Sequence, residues 1–343
     1  MKKKATIIFF MFLCSAIALG LFASQTEAKT FQWRMQSLYP ASDLSTSLQA
    51  RTIVNTLNEK LKDKLQIKLF MPGQIVPEEE MFDALSKGVY DAALFSTTWS
   101  KGQIPEGIVA FGLPMGWQNA DQVFEFFYKF GFLDWMRKLH AKKNIFYACP
   151  LPASPLPIMS NFAFNKLEDI KGKKIWSIGP TASYVQKLGA KATTFPPAEM
   201  YMALKLGTID GFIYSTAELE TSKYKEVIKY INWPAVIDPL CVEWIINLDS
   251  WNKLPGDVKQ TIEETLVQIG PGMFDKYMVD NNKGIEAAKA IGVQEVHMAP
   301  EEVAKLRSVA ASVWEETAAL SDSARKTVQM LRDYLASKGI VVK

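Results

Sequence analysis

The sequence predicts an α/β fold built as two lobes, and three observations point there. Short apolar segments that read as strands are interleaved with longer segments whose apolar residues recur at helical spacing. A run of prolines near position 150 interrupts this alternation, which then resumes. The 343 residues make about two domains at roughly 150 residues each. A balance of 48% apolar and 22% charged residues is ordinary for a globular protein and excludes a disordered, collagenous or disulfide-dense chain.

The first hundred residues read strand, helix, strand, helix, strand. Phe31 to Leu38 alternates as a strand, and Ser42 to Lys60 places Leu44, Leu48, Ile53 and Leu57 near one helical stripe. Leu65, Ile67 and Leu69 alternate with Gln66 and Lys68 in the next strand, and Met71-Pro72-Gly73 turns the chain. Pro77 followed by Glu78, Glu79 and Glu80 starts a helix, because acids there oppose the positive end of the helix dipole. That helix ends near Gly88, and Tyr90 to Phe95 reads as a buried strand. Alternation of this kind implies a largely parallel sheet covered by helices.

Asp121 to Leu139 is aromatic and helical, with Phe124, Phe127, Phe132 and Trp135 suited to core packing rather than to a cofactor box. Ile145 to Cys149 is a strand. Pro150, Pro152, Pro155 and Pro157 then exclude a central strand or helix and mark a crossover between domains. A second α/β unit follows, with strands at Lys174 to Ile178, Ala192 to Phe195 and Ile209 to Tyr214. Helices run from Thr181 to Leu188 and from Pro196-Pro197 to Leu206, the latter closed by Gly207. Val242 to Leu248 reads as a strand returning to the first unit. The remainder is helical, over Pro255 to Val279, Asn281 to Ile291, Pro300 to Leu320 and Ala324 to Lys338.

The N-terminus reads as an export signal. Lys2, Lys3 and Lys4 precede an apolar run from Ala5 to Phe22, and Thr26-Glu27-Ala28 offers a cleavage site. The run approaches the length of a membrane span, so an uncleaved anchor is the rival reading. Phe12 and Leu13 are too large to precede a lipidated Cys14. The expected mature chain is periplasmic, with no stable membrane insertion after cleavage near Ala28. The formal net charge is +3, and the leader carries three lysines against Glu27, so the remainder carries +1. Without a basic cluster, nucleic-acid binding is disfavoured. Cys149 and Cys241 remain after cleavage, either as a bridge permitted by an oxidising compartment or as two packed thiols.

Catalytic signatures are missing. His140 and His297 have no second His or Cys at ligand spacing, which disfavours a transition-metal site. The sequence holds no phosphate loop, dinucleotide fingerprint or nucleophile elbow. No enzyme activity, metal or cofactor is therefore expected. Ligand capture in a cleft between two domains is the function that fits.

Several segments resemble the solute-binding subunit of tripartite ATP-independent periplasmic (TRAP) transporters of the dicarboxylate and 2-oxo acid type. Leu167 to Ile175 (LEDIKGKKI) is similar to that family's entry into its central strand, and Glu199 to Gly211 (EMYMALKLGTIDG) to its most specific stretch. Trp33, Arg34 and Gln36 resemble the start of members that take 2-oxo acids. Gly112 to Gly116 and Trp251 to Pro255 also fit, and the likeness spans nearly all of residues 30 to 330 in order. The resemblance implies a two-lobed periplasmic-binding-protein fold with crossing hinge strands, a long helix and an interdomain cleft. It also implies delivery of the captured solute to membrane permease subunits. The lobes are expected at 29–150 plus about 240–270, and at 151–239 plus about 271–330, after a signal peptide at 1–28.

The resemblance also implies an Arg on the central strand that grips a ligand carboxylate, a directional pairing. Here that position is Trp176, and no Arg lies between Arg137 and Arg307. Ile213 and Tyr214 stand where some 2-oxo acid binders carry a glutamate that helps hold a cation. Trp176, Phe212 and Tyr214 then suggest a broad apolar cleft. The first expectation is an aromatic or apolar organic acid whose carboxylate meets Arg34 or backbone N–H groups near Thr181 to Ser183. The second is a neutral or cationic solute in an aromatic cage. Trp99 and Ser96, at the end of the third strand, lie where open α/β sheets bind ligands. Glu78 to Glu80 read as helix-start charges. A ligand sensor that presents to a membrane receptor is the remaining alternative to transport.

Overall fold

The computed structural model describes residues 30–100, 102–195 and 199–342, apart from the side chains of residues 45 and 46. The expected leader at 1–28, Cys14 and the Pro196-Pro197 helix start lie outside the described residues.

The chain forms two sheets, one of five strands and one of six. In the first, β1 (Phe31–Ser37) pairs in parallel with β2 (Leu65–Phe70) and β3 (Ala92–Phe95). The alternation in β1 turns Trp33 and Met35 onto the face covered by helix α1 (Arg51–Lys60), whose Ile53, Val54 and Leu57 share their core cluster. The segment expected as one helix from Ser42 is a π-helical turn over Ser45–Ala50 that runs into α1. β10 (Cys241–Asn247) returns antiparallel between β3 and β4 (Ile145–Pro152), so this sheet is mixed rather than parallel throughout. The aromatic stretch near 121–139 forms two helices, α2 (Ala120–Tyr128) and α3 (Phe132–Ala141). They separate at Gly131, whose φ of 80° suits glycine. Phe126 and Phe132 stack across that turn with ring centroids 4.3 Å apart, inside the core.

The second sheet runs β11-β9-β5-β8-β6-β7. Its strands are β5 (Leu156–Ser160), β6 (Lys174–Trp176), β7 (Lys191–Thr193), β8 (Gly211–Ile213), β9 (Tyr230–Ile237) and β11 (Gln294–His297). Of the prolines expected to lie outside central strands, Pro155 stands at the crossing, while Pro150 and Pro152 sit within β4 and Pro157 within β5, and the sheet explains why. β4 is an edge strand that pairs only with β10, so Pro150 and Pro152 leave that ladder intact. Pro157 falls where the β5–β9 register shifts between Leu156 and Ile158, a bulge that needs no ladder donor.

The chain crosses between the sheets at residues 153–155, after β4, and at 238–240, after β9. The two crossings are tied together. Ala153 N–H donates to Leu240 O at 2.9 Å, and Leu240 N–H donates to Ser154 O at 3.0 Å. Helix α4 (Gly256–Lys289) runs beside both sheets, packing on α1 and β4 at one end and on residues 218–226 at the other. The break expected near residue 280 is absent, because Asn281 is fixed by tertiary contacts. Its Oδ1 accepts the hydroxyls of Ser154 at 2.8 Å and Thr216 at 2.5 Å, and all three side chains are fully buried. Helix α5 (Pro300–Ala318) begins against the second sheet and ends against the first, since Leu306 and Val313 belong to one core and Trp314 to the other. The C-terminal helix α6 (Asp322–Ser337) packs Leu331, Tyr334 and Leu335 into the core of Phe126 and Phe132. Cys149 and Cys241 are free and buried, in core clusters on opposite faces of the first sheet. Among the described residues, no helix is long and apolar enough to cross a membrane.

Removing the shared acceptor at the crossing takes a hydrogen bond from each of two buried hydroxyls, Ser154 keeping Pro155 O and Thr216 keeping only Ser154. Asn281→Ala is therefore expected to cost about 1–3 kcal/mol of unfolding free energy in urea titrations. A change below about 0.5 kcal/mol, the scale of an inert surface substitution, would show that the network contributes nothing.

Candidate functional site

Parallel strands place their C-terminal ends on one side of a sheet, and the loops that leave those ends build the binding crevice of open α/β sheets. Here both sheets turn those ends toward a common cleft of about 580 Å³. From the first sheet come Leu38, Tyr39 and Pro40 after β1, and Ser96, Thr98 and Trp99 after β3. From the second come Trp176 and Ile178 at the end of β6, Thr194 and Phe195 after β7, and Tyr214 and Ser215 after β8. Asp43 and Glu78 add two carboxylates, and Tyr277 adds a wall from α4. A second cavity of about 620 Å³ lies between α5, α6 and residues 340–342. It is remote from every strand end, and its Arg332 is already paired with Glu315 at 2.7 Å.

Of the six residues expected at the site, four line this cleft. Trp99 projects into it with 57% of its surface exposed, an uncommon state for so large an apolar side chain. Ser96 is buried at its base, with its hydroxyl 2.7 Å from that of Thr98. Tyr214 and Trp176 meet edge to face, with ring centroids 5.6 Å apart at 78°. Trp176 is only 1% exposed, and its indole N–H donates to Phe195 O at 2.9 Å. It therefore supports the wall from behind and has no donor left for a ligand. The other two residues stand elsewhere. Phe212 faces the core behind the wall and packs on Tyr224, with centroids 5.0 Å apart. Arg34 lies four residues before Leu38, roughly 13 Å back along β1. There its guanidinium donates to Val89 O, and its backbone N–H donates to the Asp91 carboxylate at 2.8 Å.

The remaining carboxylate receptor considered above, Thr181 to Ser183, lies in the first turns of a helix over Gly179–Lys187. Pro180 has no N–H to offer, and Thr181 N–H and Oγ1 both donate to Ile178 O. Among the described residues lining the cleft there is no Arg, Lys or His. Burial raises the phenol pKa of Tyr39, and the charge on Asp43 raises it further. Burial raises that of Tyr214 too, with Glu218 and Asp43 adding to it. Both phenols therefore stay protonated, and Asp43 acts on rings from both lobes. Among the described residues, no group of His, Cys, Asp and Glu is arranged to hold a metal ion.

Tyr39, Asp43 and Tyr277 were not picked out from the sequence. Tyr39 follows the same strand-end rule as Ser96 and was open to discovery by it. Tyr277 sits in mid-helix, where nothing local marks it. Glu243 is also new. It is fully buried in β10, one oxygen accepts Thr97 N–H, and the other makes no hydrogen bond to the protein. Burial pushes its carboxyl up to about 8, so it is largely protonated at neutral pH.

The family model for bacterial extracellular solute-binding protein, family 7, matches residues 37–320. A monocarboxylate 2-oxoacid-binding periplasmic protein of Nostoc sp. is 26% identical over 312 residues, covering 89% of this chain and 84% of that protein. The apo, open crystal structure of a TRAP periplasmic solute-binding protein from Rhodobacter sphaeroides superposes with a TM-score of 0.79 at 25% identity. That match covers 91% of this chain and all of the other. A second such protein, from Chromohalobacter salexigens, was crystallised with (S)-(+)-2-amino-1-propanol. It has a TM-score of 0.77 at 21% identity, over 90% of this chain and 96% of that one.

Glu243 generates a linkage prediction. Its folded pKa lies above the unfolded carboxylate range, so the folded state holds a proton that the unfolded state has released. Wild-type stability therefore falls as pH rises from about 5 through about 8. Glu243→Gln removes this contribution. Its stability relative to wild type is expected to rise across that interval by a few kcal/mol in order of magnitude. A difference that stays flat with pH in denaturation curves at pH 5, 6, 7 and 8 would contradict this origin.

Proposed function

The chain belongs to the bacterial extracellular solute-binding proteins of family 7, the periplasmic subunits of TRAP transporters, and on that premise we propose that it captures a small organic solute with a flat or apolar body in the cleft between its lobes. Members of this family are non-enzymatic, bind small organic ligands and work with a membrane permease. Handing its own solute to permease subunits after cleavage of a leader near Ala28 is part of the proposal. So is the division into lobes. Residues 29–150 with about 240–270 make the first and residues 151–239 with about 271–330 the second, corrected at the C-terminus because helix α6 packs Val328, Leu331 and Tyr334 into the core of the first.

The observation that carries the reading is that Trp99, after β3, and Tyr214, after β8, line one cleft. Two large rings face one space from elements of different sheets, and one of them is largely unburied. A flat solute between them would remove that apolar surface from water, which favours closure of the lobes. Two ligand classes have support. The name of the Nostoc relative favours an organic acid, here an aromatic or apolar monocarboxylate met by hydroxyls and backbone N–H groups. The two lining carboxylates favour a neutral or cationic solute, and the Chromohalobacter structure shows this fold holding an amino alcohol.

Trp99→Ala is expected to keep the folding midpoint of the wild type, since the indole is exposed. It should weaken the solute recovered with the purified protein about tenfold, the scale of a lost aromatic contact. Trp176→Ala should instead cost about 3–5 kcal/mol of stability, because it empties a buried site. Calorimetric titration alongside denaturation separates the two effects. Unchanged solute affinity in Trp99→Ala would contradict capture between these walls.

A further inference from the structure

We infer that Glu243 is a positioning residue of the solute site, one that holds from inside the core the turn presenting Trp99 to the cleft. The inference deepens the reading of this cleft as the solute site and rests on it. The turn over Thr97–Ser100 follows β3, and its Thr98 and Trp99 line the cleft with the preceding Ser96. Thr97 is fully buried, whereas Trp99 two residues later is largely exposed. Packing around the indole therefore does little to fix it, and its place depends on the backbone beneath. Gly107 packs on that backbone so closely that a Cβ there would stand 2.2 Å from Thr97 Oγ1. The Glu243 carboxyl accepts Thr97 N–H. Glu243 lies in β10 between Phe95 of β3 and Pro150 of β4, directly after Val242, which also lines the cleft. It thus couples the strand that leaves the crossing at 238–240 to the turn under Trp99.

The Glu243 side chain is fully buried, and its second oxygen makes no hydrogen bond to the protein. The titratable groups around it come from several elements. Tyr39 after β1, Tyr147 and Cys149 of β4 and Cys241 of β10 all feel its charge, and none is a cation. His140 of α3, beside the Tyr147 ring, is kept neutral because burial pushes its pKa down to about 4. Arg137 is paired with Glu263 at 2.7 Å, and Glu106, just ahead of Gly107, accepts the Ser321 hydroxyl at 3.3 Å. Burial pushes the Glu243 carboxyl up to about 8, so at neutral pH a proton keeps it uncharged. As pH rises through that value, the carboxylate becomes a buried charge with one oxygen unanswered. The turn separates Glu243 from the cleft, so hydrating the charge displaces the turn and Trp99 with it. Solute capture is therefore strongest while the carboxyl is protonated and weakens above about pH 8.

The test follows the turn and the capture separately in the mature protein. Trp99 is followed as a 5-fluorotryptophan resonance, assigned through Trp99→Phe. Capture is followed by calorimetry with 3-phenylpropanoate, 3-phenylpropanol and 3-phenylpropylamine, whose charges stay fixed over the pH range used. Between about pH 6 and about pH 9 the wild-type Trp99 resonance is expected to shift with a midpoint near 8, and the tightest probe to weaken about ten-fold. Glu243→Gln keeps an acceptor for Thr97 N–H without an ionisable group. Both responses should flatten in it, with affinity at the acid end staying within about two-fold of wild type. Glu243→Ala should lose about ten-fold at the acid end, and should that variant not fold, the pH responses decide. A Trp99 resonance that does not titrate, or titrates equally in Glu243→Gln, overturns the positioning role and leaves the cleft as the solute site. So does a probe affinity that stays flat while the resonance shifts. If no probe binds at any pH, the cleft reading falls and takes this role with it.

Discussion

Two backbone hydrogen bonds between residues 153–154 and residue 240 hold the molecule in its arrangement. They join the two strand-to-strand crossings between the sheets, after β4 and after β9, so neither can shift without the other. The buried cluster of Ser154, Thr216 and Asn281 extends this tie to the loop after β8 and to the long helix. Because the crossings are short and fixed, the strand ends of both sheets must open on the same space. The cleft therefore follows from connectivity, and its lining from whichever residues stand at those strand ends.

What stands there is apolar and weakly acidic. Trp99 and Tyr214 offer ring surface, Asp43 and Glu78 offer charge, and Trp176 fills the strand end behind Tyr214. The indole is satisfied by Phe195 O, so its contribution is mass and shape rather than a hydrogen bond. An arginine in its place would bring a charge that needs a partner, and the natural partner would be a ligand carboxylate. Tryptophan at this strand end gives the wall bulk and shape without bringing a charge.

The fold was legible in the sequence because it is written in periodicity, which survives in every strand–helix alternation from Phe31 to Phe95 and again from Lys174 to Ile213. Its failures were local and have physical causes. Proline was taken to exclude a central strand, which holds for Pro150 and Pro152 in the edge strand β4 and fails for Pro157 in β5, where a bulge spares the missing donor. A helix break was expected near Asn281, where a tertiary hydrogen-bond acceptor overrides weak helix propensity. The site was legible in part. Ser96, Trp99, Trp176 and Tyr214 were reached from strand ends or from family position, and all four line the cleft. Arg34 was drawn by its charge, but the pleat and the strand's length carry it to the far end of β1. Tyr277 and Asp43 reach the cleft only through tertiary placement, which no local pattern records.

The central claim is that one small organic solute sits between Trp99 and Tyr214 when the lobes close on it. Native mass spectrometry of the protein purified from its own compartment, as wild type and as the Trp99→Ala, Tyr214→Ala double variant, tests this most directly. The account predicts one small molecule bound per wild-type chain and none on the folded double variant. A bound molecule retained by the double variant would place the solute elsewhere and contradict the account.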